Sequence, residues 1–497
     1  MAGILGVAGL SCACAQEAVT RPGLSLVPEL GIRQTLTDNV SLAGSDRRAD
    51  LITEVGPRLR LSSNTGFVRG SLDYSLTGVV YARSSSSNNV QQSLRAEGTV
   101  EAIEKRAFID VSASISQQNT SALGTQASDS VLLSGNRTEV SAVRVTPYVR
   151  GRLGSFAEYE ARLALEATNS SNSNADSRSA DALLHVGSDR ASFARLGWAA
   201  DYSHQAVDFN ATGSSVVDRL TGTLTFAATN ELRLSARGGR ESNDLVTSNT
   251  QQYNTWGWGA TWAPSERTRV DLAQDRRFFG KSHSVRLEHR MARSVWAFSD
   301  SRDLSTNSLT GGASGRRTWF DVLFAQFASI APDPVQRAAL VDAYLQNNGL
   351  TRASLANGGV LTSGPSIQRN QIGSVALLGA RTTVLVSTFR NDAQSLDSAT
   401  VVTGNLANGE SLRQTGQSVN LSHRLTPVSA LGVDLTRTKT SGGAGNQSTD
   451  LRSLTATWSS RLGERVDGSL SARHTSFDSS TNPYRESAVI ANLRLRF

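Results

Sequence analysis

From about residue 25 to the end of the chain, apolar and polar residues alternate over stretches of ten or more positions, and each stretch ends in a break. In residues 109–116, for example, Ile, Val or Ala alternates with Asp or Ser. The same period of two recurs at 158–166, 219–226 and 232–237. Successive side chains of a strand point to opposite faces, so this period predicts strands with one apolar and one polar face. The chain is therefore predicted to be all-β.

The length of these stretches favours a membrane protein. Strands of soluble sandwiches run to about 5–6 residues, whereas a tilted strand that crosses a bilayer needs about 9–11. The alternating stretches reach or exceed the larger value. Their apolar face also carries aromatic residues, which membrane barrels place at the lipid–water interface. These residues are Trp198, Tyr202, Trp256, Trp258, Trp262, Trp296 and Trp458.

The breaks between the stretches alternate in size. Tight breaks such as 104–106, 228–230 and 379–381 alternate with polar loops rich in Ser, Asn and Gly. The loops are expected at about 83–90, 118–136, 168–179, 205–215, 240–251, 391–410, 438–449 and 476–486. Short turns at one end and long loops at the other are typical of outer-membrane barrels, and the pattern gives roughly 20–22 strands. We therefore predict a large antiparallel transmembrane β-barrel.

The last stretch supports a bacterial outer-membrane location. Val489, Ala491, Leu493, Leu495 and the final Phe497 share one face. A terminal aromatic residue preceded by apolar residues at every second position resembles the signal by which bacterial outer-membrane barrels are recognised. Phe497 is accordingly the candidate barrel-assembly signal, and the expected partners are the assembly machinery, outer-membrane lipid and lipopolysaccharide.

One segment, 303–365, breaks the period of two. Its spacing is helical, since apolar residues recur at i, i+3, i+4 and i+7, and Asp333 and Pro334 are typical of a helix start. We predict one helical insertion in a long loop that leaves from the extracellular side. A cap packed on other loops and a gate or plug inside the lumen both stay open. The candidate plug residues are Phe320, Leu323, Phe324, Phe327, Leu340, Val341, Tyr344 and Leu345.

The first fifteen residues are predicted to be a signal peptide, and 16–497 the barrel. An apolar core at 3–10 precedes Ala13-Cys14-Ala15, a small-x-small cleavage pattern. Cleavage there would remove both cysteines, which suits an envelope protein without disulfides. A lipoprotein with its lipid on Cys12 or Cys14, or a buried N-terminal segment, are the alternatives.

Composition and charge exclude several classes of protein. A mean hydropathy of -0.26, without a long apolar run, excludes a polytopic helical membrane protein. The formal charge is +7, but basic and acidic residues are interleaved without the basic stripe that nucleic-acid binding needs. Phosphorylated lipid headgroups are the alternative counter-charge for the basic excess.

No motif for catalysis or for a cofactor is found in the sequence. The six His residues do not pair at metal-ligand spacing, no glycine-rich loop of the phosphate-binding kind is present, and no Gly-x-Ser-x-Gly turn occurs. We therefore expect no enzyme activity, no cofactor and no metal. A Ser/His pair brought together at the outer rim is the enzymatic alternative.

The charges on the polar face of the strands are the candidate lumen-lining residues. Opposed basic and acidic rows in a wide lumen bind polar or anionic solutes; the alternative is a solvated lattice of ion pairs that stiffens the wall. By strand phase the set is Asp73, Asp110, Glu160, Arg162, Arg195, Asp201, Arg219, Arg233, Arg237, Asp271, Arg286, Glu288, Arg290, Asp434 and Arg494.

Short motifs spread along the chain resemble one known family. Residues 37–39 read Thr-Asp-Asn, residues 50–57 read Asp-x-Ile-Thr-Glu-Val-x-Pro, and a Gly-Ala-Arg-Thr-Thr strand start follows at 379–383. With the helical insert, these motifs resemble the PEP-CTERM system-associated outer-membrane protein family. The resemblance implies a large barrel found with exosortase and exopolysaccharide genes in Gram-negative bacteria. It singles out Thr37, Asp38 and Asn39, which we expect to cap a turn, or alternatively to contact calcium or sugar.

Together these features lead us to expect a barrel that serves exopolysaccharide or surface-protein export, as a passive conduit or an assembly partner. Exopolysaccharide and periplasmic export components are the expected partners, and nucleic acid is not. A general diffusion porin for small solutes is the alternative within transport. A secreted β-rich adhesin or β-solenoid is the alternative from another class, although no strict repeat is found.

Overall fold

A computed structural model describes residues 20–21, 23–171, 176–188, 195–210, 213–246, 249–306, 320, 323–324, 337, 341, 362, 364–396, 406, 410–443 and 447–497. A two-residue strand, β1, lies at Thr20–Arg21. The long strands of the first half are β2 Leu24–Thr37, β3 Asp50–Asn64, β4 Val68–Tyr81, β5 Asn89–Ile103, β6 Ala107–Asn119, β7 Arg137–Leu153, β8 Ala157–Ser170, β9 Ser177–Ser188, β10 Leu196–Phe209, β11 Gly213–Ala227 and β12 Leu232–Asn243. Those of the second half are β13 Gln251–Ser265, β14 Thr268–Arg277, β15 Gly280–Arg290, β16 Ser294–Ser305, β17 Ser366–Leu378, β18 Thr382–Ser395, β19 Ser411–Arg424, β20 Ser429–Gly442, β21 Gln447–Arg461, β22 Val466–Ser479 and β23 Tyr484–Arg496.

The long strands form one closed antiparallel barrel of 22 strands, because each pairs with the next and β23 returns to pair with β2. The closing register runs from Glu29↔Arg496 to Thr37↔Ala488. The last residue continues this seam, since the backbone N–H of Phe497 donates to the carbonyl of Pro28 at 3.0 Å. The predicted barrel class is therefore confirmed. Closure satisfies the backbone hydrogen bonds within the sheet, which a lipid-embedded sheet requires.

The two ends of the barrel differ in the length of their connections. At the turn end, which also holds the start of β2 and the end of β23, connections such as 65–67, 104–106 and 291–293 are tight. At the loop end lie the long connections 38–49, 120–136, 306–365 and 396–410. This is the alternation of periplasmic turns and extracellular loops of outer-membrane barrels.

Several loop-end connections are shorter than the sequence predicted. The loop expected at 205–215 is reduced to 210–212, and the one expected at 438–449 to 443–446. The strands continue because backbone pairing persists beyond the hydrocarbon core of the membrane, where neither face of a strand meets acyl chains. Polarity then no longer alternates, so the sequence pattern ends before the strand does.

The outer face of the barrel is apolar over much of its surface. Leu220, Leu224 and Leu234 are 44–59% exposed, and they share this face with exposed tryptophans. Four tryptophans lie within a few residues of the turn end, namely Trp198, Trp262, Trp296 and Trp458. An apolar band with aromatic residues at one margin is the arrangement that outer-membrane barrels present to lipid. The chain is therefore a bacterial outer-membrane barrel.

The predicted helical insertion is not seen as a helix among the described residues. β16 continues to Ser305, so the connection is 306–365 and not 303–365. Only single positions of it are described in helical conformation, namely Phe320, Leu323, Phe324, Arg337 and Val341. The predicted signal peptide, 1–15, lies outside the described residues. A 3-10 turn at Ser85–Ser87 is the only helical element with defined bounds in the described part of the chain.

We expect the lipid-facing and lumen-facing sides of a strand to differ in their tolerance of a charged side chain. We expect Leu224→Arg to lower the free energy of unfolding in lipid vesicles by about 2–4 kcal/mol, because it places a guanidinium in the lipid-facing band. Thr223→Arg, on the next residue of β11, faces the lumen and is the matched control. Denaturant titration in vesicles, with the gel shift of the folded barrel as readout, measures both. Equal losses for the two variants would contradict the assignment of faces.

Candidate functional site: the lumen wall and the loop folded into it

The structure places the candidate lumen-lining residues on the face opposite the lipid-exposed one. Their neighbours in each strand carry the exposed apolar side chains, as Leu220 does beside Arg219 and Leu234 beside Arg233. Arg195 is the exception in position, because it lies in the connection just before β10. Contact between these side chains and a passing solute stays a prediction.

Most of these charges have partners within the wall. Arg58 and Asp73 pair through two hydrogen bonds, Nε donating to Oδ1 at 2.7 Å. Thr99 donates to Asp110 at 2.7 Å, and Arg162 lies 3.0 Å from Glu160. The other pairs are Arg494–Glu29, Arg290–Glu288, Asn420–Asp434 and Arg269–Asp271. The lattice interpretation is thus well supported for these residues, and each exposed pair contributes little, on the order of 0–1 kcal/mol.

The wall formed by β10 to β15 is an open polar part of the lumen. It borders a cavity of about 560 Å³. Hydroxyl groups line it in a row on β11, from Thr221, Thr223 and Thr225. Four predicted lumen residues also line it, namely Asp201, Arg219, Arg237 and Asp271. A solute here meets both hydrogen-bond donors and acceptors.

Two glycines of β13 allow charges to meet across that strand. Arg237 of β12 donates to Asp275 of β14 at 3.2 Å, although β13 lies between them. A Cβ at Gly257 would lie 1.9 Å from Oδ1 of Asp275, and one at Gly259 would lie 3.3 Å from Nη2 of Arg237. Arg219 of β11 also approaches the same carboxylate at 3.9 Å. The absent side chains therefore let one carboxylate serve two guanidinium groups.

The loop 120–136, between β6 and β7, folds into the lumen and contacts walls that are not its neighbours. Val131 and Leu132 are buried in a cluster with Ile52, Tyr81 and Phe477. The carbonyl of Val131 accepts a hydrogen bond from Tyr81 at 2.6 Å, and that of Gln126 accepts one from Tyr484. The loop therefore packs on the closing seam of the barrel.

The start of the same loop reaches another part of the wall. Ala122 is fully buried with Ala393 of β18, Leu412 of β19 and Leu406, and Leu123 packs against them. These strands lie far around the barrel from β6 and β7. The loop therefore spans the lumen near its loop end.

A buried ion cluster, which we call the Asp129 lock, holds this loop to the wall. Asp129 pairs with Arg33 of β2 and with Arg473 of β22, the latter at 2.6 Å. Arg33 also pairs with Glu54 at 3.0 Å, and Arg473 with Glu486 at 2.9 Å. The two guanidinium groups thus each bridge one wall carboxylate and the shared loop carboxylate.

The charge state of Asp129 follows from this geometry. Burial alone would raise the pKa of Asp129, but the guanidinium groups of Arg33 and Arg473 outweigh burial and hold the pKa well below its usual range. Asp129 is therefore ionised at neutral pH. Removing one member of such a buried cluster costs on the order of 3 kcal/mol, because it leaves charge without its partner.

The residues of the Thr-Asp-Asn motif at 37–39 support the lock from the wall side. Thr37 donates to Glu486 at 2.9 Å, and the backbone N–H of Asn39 donates to Thr37 Oγ1 at 3.2 Å. The side chain of Asn39 donates to the carbonyl of Ala43 at 2.8 Å, and Asp38 accepts from the backbone N–H of Ser487 at 2.7 Å. These residues shape the turn after β2 and extend the closing seam.

Four of the eight candidate plug residues are described, and they lie inside the barrel at the turn end. Phe320, Leu323 and Val341 are buried with Val295, Ala376 and Leu385, which sit close to the tight turns of β16, β17 and β18. Phe324 packs against this cluster. Phe327, Leu340, Tyr344 and Leu345 lie outside the described residues.

The same connection also touches the far wall. The guanidinium carbon of Arg95, on β5, lies 5.6 Å from the ring centroid of Phe320. Strand β5 is roughly opposite β16 to β18 in the barrel. The connection starts at the loop end, and its described residues therefore descend to the turn end and reach across the lumen.

The described residues contain neither a cluster of metal ligands nor a helix that could span a membrane. Among the described residues, no group of three or more His, Cys, Asp or Glu side chains could hold a metal ion. In that same part of the chain, no helix is long and apolar enough to cross a membrane.

Sequence reasoning missed the members of the lock. Arg33 and Arg473 lie 96 and 344 positions from Asp129, so no periodic pattern links them. One signal was available, namely the run Val131-Leu132-Leu133 in an otherwise polar loop. Three consecutive apolar residues in such a loop indicate that it is buried.

Comparisons with known proteins show a likeness of overall shape only. No family model and no curated protein matches the chain. The FrpB iron transporter from Neisseria meningitidis (F5-1 variant) matches with a TM-score of 0.49 and 10% identity, covering 96% of this chain and 83% of that one. The siderophore receptor PirA from Pseudomonas aeruginosa matches with a TM-score of 0.39 and 10% identity, covering 96% and 81%. A mutant of the ferric enterobactin receptor PfeA from the same species matches with a TM-score of 0.46 and 8% identity, covering 95% and 80%. At these TM-scores the likeness carries no function to this chain.

The Asp129 lock predicts a defined response to pH. The pKa of Asp129 is lower in the folded protein than its value of about 3.9 in an unfolded chain. The stabilisation that the charge of Asp129 contributes is therefore fully present above that value and is lost only as the pH falls through the folded pKa. We expect the amides of 126–131 to keep their protection from hydrogen exchange between about pH 7 and pH 5. Asp129→Asn should lose that protection at both values.

Asp467→Asn is the matched control for this measurement. Asp467 also pairs with an arginine, Arg496, but it lies at the turn end and away from the loop. Its loss should leave exchange in 126–131 unchanged. Release of the loop in the native protein at pH 5, or an unaltered loop in Asp129→Asn, would contradict the lock.

Proposed function

We propose that this protein is a passive, non-enzymatic conduit of the outer membrane with a gated lumen, and that its cargo is a hydrophilic surface polymer such as exopolysaccharide. The barrel itself is the framework for this role. The cargo is the one that the resemblance to the PEP-CTERM-associated family implies. Periplasmic export components would deliver the polymer to the turn end.

The chemistry of the lumen wall supports a carbohydrate cargo. Sugars present many hydroxyl groups, each able to donate and accept a hydrogen bond. The wall at the cavity offers Thr and Ser hydroxyls together with guanidinium and carboxylate groups, such as Thr223, Ser235 and the pair Arg237–Asp275. Partners of this kind favour a hydrated polymer over an apolar one.

The observation that carries the gating is the loop held inside the lumen by the Asp129 lock. A barrel of 22 strands encloses a wide lumen, and barrels of this size normally carry a plug. Here the loop 120–136 spans the loop end, and described residues of 306–365 lie across the turn end. A general diffusion porin has no need of a buried charge lock, so this alternative is the less well supported.

Opening of the Asp129 lock should raise the ion conductance of the barrel. We expect the native protein to show low and infrequent conductance in planar lipid bilayers, because the loop 120–136 and the described residues of 306–365 lie across its lumen. Asp129→Asn should raise the conductance or the open time severalfold, since the loop loses its shared carboxylate. Deletion of 312–350 should raise it further by removing the second segment.

Asp467→Asn serves again as the control, and it should behave as the native protein does. Steady large conductance from the native protein would favour the porin alternative. Unchanged conductance in both Asp129→Asn and the deletion variant would contradict gating by these segments.

The cargo needs a separate test in the native host. Removal of the gene should abolish exopolysaccharide in the surface matrix, and the native gene should restore it. The Asp129→Asn gene should restore it as well, but with increased sensitivity to large antibiotics, because its lumen is open. Normal surface polysaccharide in the deletion strain would contradict the proposed cargo while leaving the gated barrel intact.

A further inference from the structure

The outer face of β16 to β21 is apolar towards the turn end and charged towards the loop end. On β20, Leu431, Val433 and Leu435 are followed on the same face by Arg437 and Lys439. Neighbouring strands change in the same way. We call the charged part the outer belt; it comprises Asp300, Arg302, Arg369, Arg390, Asp392, Arg413, Arg437, Lys439, Asp450 and Arg452.

The register shows that these residues face outwards. In the register of β20 and β21, Arg437 lies opposite Arg452. Each arginine is two positions along its strand from a leucine of the lipid-facing band, Leu435 or Leu454, and these leucines are 50% and 47% exposed. Because side chains alternate along a strand, residues two apart share a face. The outer belt therefore cannot line the lumen, and no lumen solute reaches it.

Two carboxylates of the outer belt are each shared between two arginines. Asp392 accepts from Arg390 at 2.9 Å and from Arg413 at 2.7 Å. Asp450 accepts from Arg437 at 2.7 Å and from Arg452 at 2.8 Å. Each such group thus holds two guanidiniums in place and keeps an excess positive charge.

A third carboxylate, Asp300, is held by Arg369 at 2.7 Å and by Gln371 at 3.0 Å. The carboxylates of the belt are largely buried, whereas its guanidinium groups are exposed. The side chains of Asp300, Asp392 and Asp450 are only 11–26% exposed, whereas those of Arg413, Arg437 and Arg452 are 52–58% exposed. The surface that meets the membrane is therefore positive, with guanidinium donors still directed outwards.

The belt differs from other strand ends by its grouping of charge. On β2 to β5 the lipid-facing residues stay apolar up to the loop end, as at Leu36, Leu51, Val80 and Val90, which are 38–64% exposed. Strands β12 and β14 each carry an outward arginine at a similar level, Arg240 and Arg276. In the belt, six adjacent strands bring cations together around shared carboxylates, so a ligand there meets a cluster of guanidinium groups.

We propose that the outer belt is a binding site for a phosphorylated glycolipid of the outer leaflet. Arginine forms paired hydrogen bonds with phosphate oxygens, and prearranged guanidiniums lose little freedom on binding. The apolar side chains directly below, such as Val386, Val419 and Leu435, would receive the acyl chains. A ligand with phosphate above and acyl chain below fits both parts of this surface.

The test uses the full-length protein in detergent, with bisphosphorylated lipid A as the probe and native mass spectrometry as the readout. The native protein should bind lipid A saturably and more weakly as salt is raised, because salt screens exposed charges. The triple variant Arg413→Gln, Arg437→Gln, Arg452→Gln should lose at least about tenfold in affinity, since each lost guanidinium removes charge-assisted hydrogen bonds.

A matched triple variant controls for lost charge. Arg106→Gln, Arg267→Gln, Arg465→Gln removes three exposed arginines at the turn end and should bind as the native protein does. The gel shift of the folded barrel verifies that both variants are folded. Single Arg→Gln changes at the same three belt positions, with smaller losses that accumulate, provide the test if the belt triple variant does not fold.

Further probes identify what the belt recognises. Lipid A without phosphates should bind at least about tenfold more weakly than the bisphosphorylated form, and inorganic phosphate alone should compete only weakly, because it lacks acyl chains. Equal binding of both lipids, or equal binding to both triple variants, would overturn the proposal. A dimer of the native protein that only the belt variant loses, without any lipid preference, would overturn it in favour of an interface between two copies. None of these outcomes depends on conductance or on the exported polymer.

Discussion

The closed ladder of backbone hydrogen bonds is the constraint on which the rest of this molecule depends. Lipid offers no partner for an unpaired N–H or C=O group, so a sheet in the membrane has to close on itself. Here closure occurs between β2 and β23, and the motif at 37–39 and the final residue extend that seam at its two ends. Because the cylinder is closed, each strand has one lipid face and one enclosed face, and the chemistry of each can differ.

The ion pairs on the enclosed face are of two kinds, which differ greatly in their contribution to stability. Ion pairs along the open wall, such as Arg162–Glu160, remain about a third exposed and contribute little each. In the Asp129 lock, Asp129, Arg473 and Glu486 are almost fully buried, and loss of one of these members costs on the order of 3 kcal/mol. This is a large local effect but a small one beside a barrel of 22 paired strands. The loop can therefore move without unfolding of the wall. A gate requires that release of the loop cost much less free energy than unfolding of the barrel.

The alternation of polarity was enough to predict the strands, their faces and the approximate size of the barrel. At 109–116 and 219–226 lipid on one side and the lumen on the other impose the period of two. Prediction was poorer where that constraint ends. Strands such as β10 and β20 continue past the hydrocarbon core of the membrane, where neither face meets acyl chains and polarity no longer alternates.

The contacts that fix the lumen were beyond sequence reasoning for another reason. Arg33, Asp129 and Arg473 meet only because the barrel brings β2 beside β23 and folds a distant loop onto them. The outer belt was also missed, although its residues were in the right phase, because isolated charges in a polar strand end look like solvated ones. Only the register shows that Asp392 and Asp450 are each shared between two arginines.

Disulfide formation between loop and wall tests the central claim most directly. Ser128 Oγ of the loop lies 3.1 Å from Thr475 Oγ1 of β22, so Ser128→Cys with Thr475→Cys should form a disulfide, in a chain whose two native cysteines are Cys12 and Cys14. We expect near-complete crosslinking in native outer membranes, detected as a shift on a non-reducing gel after proteolytic cleavage between 128 and 475. Two cysteines that both react with a thiol reagent but do not crosslink would show that the loop does not lie inside the barrel.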